Sequence, residues 1–164
     1  YLPLQCIDPA DVFCPYDYLR TTQEIDRQSL GGKIDRKRLA FKKDQLLKRS
    51  PSLSKFILDI PSDEERKYDK TILFIADFDE CLDQIMKVMR DSAFFVWTIG
   101  NRFVGGREVP NDTILQDLME CRGLSLFFRA ERKILNKKQP KKNNFSSTME
   151  KEIILIFNKI QLKF

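Results

Sequence analysis

The 164-residue chain contains no histidine. That absence removes the side chain most used as a general base near neutral pH, and with it every Ser–His or Cys–His catalytic pair. Cysteine is scarce. Cys6, Cys14, Cys81 and Cys121 stand at spacings that match no zinc pattern, and no histidine is present to complete a mixed site. Cys81 and Cys121 fall within helical patterns, so they read as small buried hydrophobes, and a reducing cytoplasm is the default expectation. No apolar run approaches the roughly 20 residues that span a bilayer, so no membrane partner is expected. Residues 1–20 carry acids and prolines and lack the apolar core of a signal peptide. The opening Tyr1-Leu2-Pro3-Leu4 reads as a chain cut from something longer.

What is present is a globular composition, 42% hydrophobic and 32% charged, on a length that can bury one core. The net charge of +5 is unevenly placed. Lys33, Arg36, Lys37, Arg38, Lys42, Lys43, Lys48 and Arg49 face only Asp35 and Asp44 over the same stretch, a local net of +6. A second basic cluster, Lys133, Lys137, Lys138, Lys141 and Lys142, meets no acid until Glu150. Such segments suit a polyanion partner, and a solvated lysine-rich surface would look the same by charge alone.

Residues 1–35 hold Pro3, Pro9, Pro15 and Gly31-Gly32 and show no sustained period, which predicts irregular structure with short helical pieces. A basic helix is expected over 36–49, with Leu39, Leu46 and Leu47 as its apolar positions. Ser50-Pro51-Ser52 should stop it and cap a short helix over 53–60. From 64 to 90, Tyr68, Ile72, Ile75, Phe78, Leu82, Ile85 and Met89 step by three or four, the spacing of one helix face. Ser62 or Asp63 is the expected cap. The apolar run from Ala93 to Ile99 reads as a central parallel strand buried on both faces. A loop over 101–111 follows, then a helix capped by Asn111 or Asp112 and ended by Gly123. A strand over 124–135, a lysine-rich connection and a last strand over 152–159 complete the order, which is α/β.

Four segments could carry chemistry. Gly100-Asn101-Arg102 leaves the carboxyl end of a buried strand, where open α/β sheets place ligand contacts. Asn could read a base edge and Arg a phosphate, while a tight turn with Arg102 ion-paired explains the same residues. Gly31-Gly32-Lys33 could offer amides and an ammonium to phosphate, but it lacks the rest of a P-loop and also reads as a turn. The lysines after Arg132 could line a DNA backbone or lie in a solvated loop. Asp77, Asp79, Glu80 and Asp83 could suggest a metal, but their spacing along a helix favours a solvated flank.

In order, YLPLQ, TTQEIDRQSLGGK, VWTIGNRFVGGREVPNDTIL, RKILNKKQPKKNN and STMEKEIILIFNK cover nearly the whole chain. The series resembles the C-terminal part of bacterial site-specific DNA methyltransferases of the amino-group type, which modify N6 of adenine or N4 of cytosine. The resemblance implies the C-terminal half of a Rossmann-like class I methyltransferase sheet ending in an antiparallel β-hairpin, its seventh strand returning between the fifth and sixth. It implies S-adenosylmethionine as cofactor of the complete enzyme, DNA as partner and a restriction-modification setting. Residues 1–62 would be an irregular, helical basic segment, a target-recognition insertion, and 63–164 the C-terminal half of the catalytic domain. Asn101, Arg102 and Arg107 would lie near the base pocket, with Lys33, Arg36, Arg38, Lys137, Lys138, Lys141 and Lys142 against phosphates.

Two signatures of that family are missing from the sequence. There is no Phe-x-Gly-x-Gly turn for the methionyl part of the cofactor, and no Pro-Pro-Tyr motif to take a flipped base. Cys14-Pro15-Tyr16 has one proline, a cysteine in place of the polar residue, and the wrong position. No catalytic or metal-binding residue is therefore assigned, and the chain alone is expected to be inactive. In relatives the Pro-Pro-Tyr motif would fall shortly before Tyr1, on an upstream polypeptide carrying the first half of the sheet. The alternatives are a non-catalytic nucleic-acid-binding module, a domain that completes a partner, and an RNA-modifying relative of the same fold.

Overall fold

In the computed structural model, which describes residues 24–25, 30–32, 34–134 and 151–159, the first long helix covers the basic stretch expected to be helical. The Asp35 carboxylate accepts the amides of Lys37 and Arg38 ahead of α1 (Arg36–Arg49), satisfying donors that a first helical turn leaves free. Lys48 and Arg49 occupy its last turn, and Leu39 and Leu46, two turns apart on one face, are buried. Ser50 closes α1 through its amide to the Leu46 carbonyl and opens α2 (Pro51–Leu58) by accepting the Leu53 amide at 3.1 Å. Proline at the first helical position loses no hydrogen bond there.

The long helix begins later than its apolar period suggests. A 3₁₀ turn (Glu65–Tyr68) precedes α3 (Asp69–Val88), and Tyr68, not Ser62 or Asp63, stands at the cap position with no side-chain cap. Tyr68 is fully buried, edge-on to Phe56 at 5.5 Å. Burying a side chain of that kind contributes about 1.5–3 kcal/mol, more than the roughly 1 kcal/mol of a good cap. Ile72, Leu73, Ile75, Ala76 and Leu82 carry the core stripe of α3.

After α3 come β1 (Phe94–Ile99), β2 (Arg102–Val104), β3 (Arg107–Val109), α4 (Asn111–Glu120), β4 (Leu124–Lys133) and β5 (Lys151–Lys159). The larger sheet has the order β1-β5-β4, with β5 antiparallel to both neighbours. β1 and β4 therefore run in the same direction, joined through α4, and the architecture is α/β. Register runs from Phe94 opposite Asn158 to Ile99 opposite Ile153, and from Leu124 opposite Lys159 to Lys133 opposite Lys151. One irregularity, between Leu126 and Phe128, leaves Phe127 as an extra residue. Ile153, Leu155 and Phe157 of β5 point into the core with Leu53, Leu82, Leu115 and Leu118.

β1 departs from the sequence expectation in two ways. Its one bonded neighbour among the described residues is the antiparallel β5. It is also not buried on both faces: Phe95, Trp97 and Ile99 turn inward, while Phe94 is 58% and Val96 62% exposed. The apolar run supplies two apolar faces, and the described residues cover only one of them.

Candidate nucleic-acid interface

The carboxyl end of β1 feeds Gly100 and Asn101 into the start of α4. Asn111 Nδ2 donates to the Gly100 carbonyl at 3.0 Å, and Asn101 Oδ1 accepts the Asp112 amide at 3.2 Å. Asn101 thus sits at the strand exit, as expected, but its side chain serves the first turn of α4. Asp112 is buried and takes Arg129 Nη2 of β4 at 2.6 Å. Burial alone would raise the Asp112 pKa. Hydrogen bonds from Arg129, Asn101 and the Thr113 amide, with the Arg129 charge, outweigh burial and hold the carboxyl below its ordinary value.

Arg102 and Arg107 belong to a hairpin, where the sequence predicts a loop over 101–111. Arg102 pairs with Val109 and Val104 with Arg107 across β2 and β3. Gly105 (φ +57) and Gly106 (φ +80) form the two-residue tip in the left-handed region, which glycine enters without a Cβ penalty. The signal was present: Gly-Gly between short β-branched and aromatic segments is a hairpin pattern. Gly105 rests on the core, where a Cβ would fall 2.9 Å from the Tyr68 hydroxyl. That hydroxyl is buried without a hydrogen-bond partner. Directly paired residues share a face of a ladder, so Arg102 and Arg107 project on the same side. Both are exposed, and among the described residues neither joins an ion pair. Glu64 feels Arg107 weakly; its carboxyl is held below its ordinary value mainly by the hydrogen bond from Lys67.

The basic helix α1 is a different case. Arg38 reaches Asp77 at 2.6 Å and Glu80 at 3.4 Å. Lys42 contacts Glu80 and lies 3.7 Å from Asp77. Lys43 meets Glu65 at 3.3 Å, Lys48 meets Asp44 at 2.7 Å and Arg49 meets Asp79 at 2.6 Å. Three of the eight cations, Arg38, Lys42 and Arg49, are thus matched by the acidic flank of α3, while Lys43 pairs with the 3₁₀ turn and Lys48 within α1 itself. That flank is part solvated and part buried: Glu80 and Asp83 stay about half exposed, whereas Asp77 and Asp79 are shielded, and among the described residues no group of potential metal ligands occurs. Asp79 is buried and also receives Arg122 at 2.7 Å, and Arg122 holds Asp83 at 2.5 Å.

Gly31 donates its amide to Asp77 Oδ2 at 3.0 Å, and a Cβ there would come within 3.0 Å of Phe74 Cβ. In this arrangement the first glycine of Gly31-Gly32-Lys33 serves helix packing. Arg36 is exposed at the start of α1. Lys33, Lys137, Lys138, Lys141 and Lys142 lie outside the described residues. Cys81 and Cys121 are exposed, not buried. A helical position does not fix which face a side chain takes, and both fall off the core stripe.

The described residues do not form a cradle for S-adenosylmethionine. Of the two glycine-bearing turns at the exit of β1, the first has Asn101 committed to α4, and the second stands with Gly106 in open space. No step involving that group is derived. No helix among the described residues is long and apolar enough to cross a membrane.

Comparison with curated proteins finds the type II methyltransferase M.MvaI of Kocuria varians, 31% identical over 140 residues. The match covers 81% of this chain and 31% of that protein, so the chain spans about a third of the relative's length. No protein-family model matches, and no solved structure matches.

Proposed function

We propose that this chain, a relative of the bacterial DNA methyltransferases, supplies the DNA-facing C-terminal part of an enzyme that transfers methyl groups from S-adenosylmethionine to an exocyclic amine of adenine or cytosine. The observation that carries the proposal is the sheet order. A strand antiparallel to both neighbours lies between β1 and β4, which run in the same direction and are joined through α4. This supports reading residues 63–164 as the C-terminal half of a Rossmann-like methyltransferase sheet, with residues 1–62 as a target-recognition segment. DNA would be met by Arg102, Arg107, Arg36 and the lysines at 33, 137, 138, 141 and 142. Asn101 and Arg38 would not meet DNA directly, because Asn101 serves the first turn of α4 and Arg38 is held by Asp77 and Glu80. The setting would be cytoplasmic, as part of a restriction-modification system.

The missing cofactor turn and Pro-Pro-Tyr motif support inactivity of residues 1–164 alone. Incubating the chain with DNA and methyl-labelled S-adenosylmethionine should leave the DNA unlabelled; incorporation of label would refute this. One observation favours a further role, completion of a polypeptide that carries the rest of the sheet. The outward sheet face exposes Phe94, Val96, Phe127 and Phe128, with Phe94 and Phe127 in edge contact at 5.5 Å. β1 also presents an edge with no bonded neighbour among the described residues.

A further inference from the structure

The geometry points to the β2–β3 hairpin as a clamp for two successive phosphates of one DNA strand, gripped by Arg102 and Arg107. This rests on the DNA-facing role proposed above and makes it specific: the arginines hold the backbone and do not read the base. Four features of the hairpin support it. Arg102 and Arg107 are diagonal neighbours on one face, since Arg107 pairs with Val104 two residues beyond Arg102, and they stay exposed although Val109 and Val104 of that face pack on the core. Diagonal positions in an antiparallel ladder lie about 7–8 Å apart, which suits neighbouring phosphates of an extended strand when each is met by one guanidinium. Both side chains are exposed and unpaired among the described residues, whereas Arg38, Lys42, Lys43 and Arg49 of α1 are taken up by carboxylates.

The hairpin is also placed and held. It follows directly on the carboxyl end of β1, and its Gly105 backbone is seated against Tyr68, which is fully buried. A guanidinium carried on a fixed ladder loses less freedom on binding than one on an irregular loop. At the tip, Gly106 has no neighbour within 4 Å of a built Cβ, so a nucleic-acid backbone can approach the turn closely.

The test is the salt dependence of oligonucleotide binding by the full 164-residue chain, on a duplex and on one of its strands. Arg102→Ala with Arg107→Ala should weaken binding at least tenfold at low salt. It should also lower the slope of log affinity against log salt by about 0.9 per arginine on the duplex, or about 0.7 on the single strand. Arg102→Lys with Arg107→Lys should retain most of the slope, because the charge remains. Lys87→Ala, a charge loss in the last turn of α3, should leave the slope unchanged. Unaltered thermal melts establish that the variants are folded. Binding by the wild-type chain with an unchanged slope in the double alanine variant overturns the clamp alone. Failure of the wild-type chain to bind either oligonucleotide overturns both the clamp and the DNA-facing role.

Discussion

Replacing Arg38 and Lys42 together by alanine separates charge that is visible in the sequence from charge that is available on the surface. Asp77, with a side chain 12% exposed, would lose the 2.6 Å contact with Arg38 and the 3.7 Å contact with Lys42. It would keep the Gly31 amide at 3.0 Å. Exposed pairs of this kind contribute about 0.2–1 kcal/mol each, and Arg38 at 43% and Glu80 at 57% exposure belong near the lower end. Lys42 is 12% exposed and leaves a poorly solvated carboxylate behind, so the double variant should lose about 1–2 kcal/mol. At this chain length that lowers Tm by about 2–8 °C. The loss should shrink as salt rises, since screening weakens what was removed. DNA binding should keep its salt slope, because neither cation is free to meet phosphate. Thermal melts and affinity measurements between about 50 and 200 mM salt read the two quantities independently. A slope that falls by about 0.9 per residue with Tm unchanged would refute the assignment. Asp77→Asn provides the opposite sign. It should lower Tm while loosening Arg38, which keeps only the 3.4 Å contact with Glu80, so DNA affinity should hold or rise.

Three other outcomes test the packing. Ser50→Ala removes the acceptor for the Leu53 amide and the donor to Asp117. It should cost about 1–2 kcal/mol, seen as a lower urea midpoint with an unchanged m-value; a midpoint that stays put would show the cap to be idle. The Asp112 carboxyl is held below its ordinary value, so its stabilisation is full above the unfolded carboxylate pKa of about 3.9. It is lost as pH falls through the lower folded value. Asp112→Asn should therefore destabilise at neutral pH and flatten the acid unfolding curve below about pH 4, and an unchanged curve would contradict the sign. Tyr68→Phe deletes a buried hydroxyl that has no partner and should leave stability unchanged or higher; a loss above about 1 kcal/mol would mean that the hydroxyl is hydrogen-bonded after all.

Most of the elements follow from the residues themselves, because local physics sets them. Asp35 and Ser50 cap α1 and α2 as their side chains dictate, the three-and-four spacing along α3 marks its buried stripe, and Gly123 takes the left-handed conformation just past α4. Gly105-Gly106 carries a hairpin signal, but composition over 101–111 predicts only a loop, and the β2–β3 ladder corrects that expectation. Tertiary structure decided where the charge goes. A run of cations in one segment says nothing of the anions that packing brings against it, and Asp77, Glu80 and Asp79 lie 30 or more residues from the α1 cations they meet. The same holds for Asn101, whose amide could have faced a base until the register of α4 placed the Asp112 backbone beside it. It holds for β1 too: an apolar run shows that both faces can be buried, but only the neighbours of a strand determine whether both are.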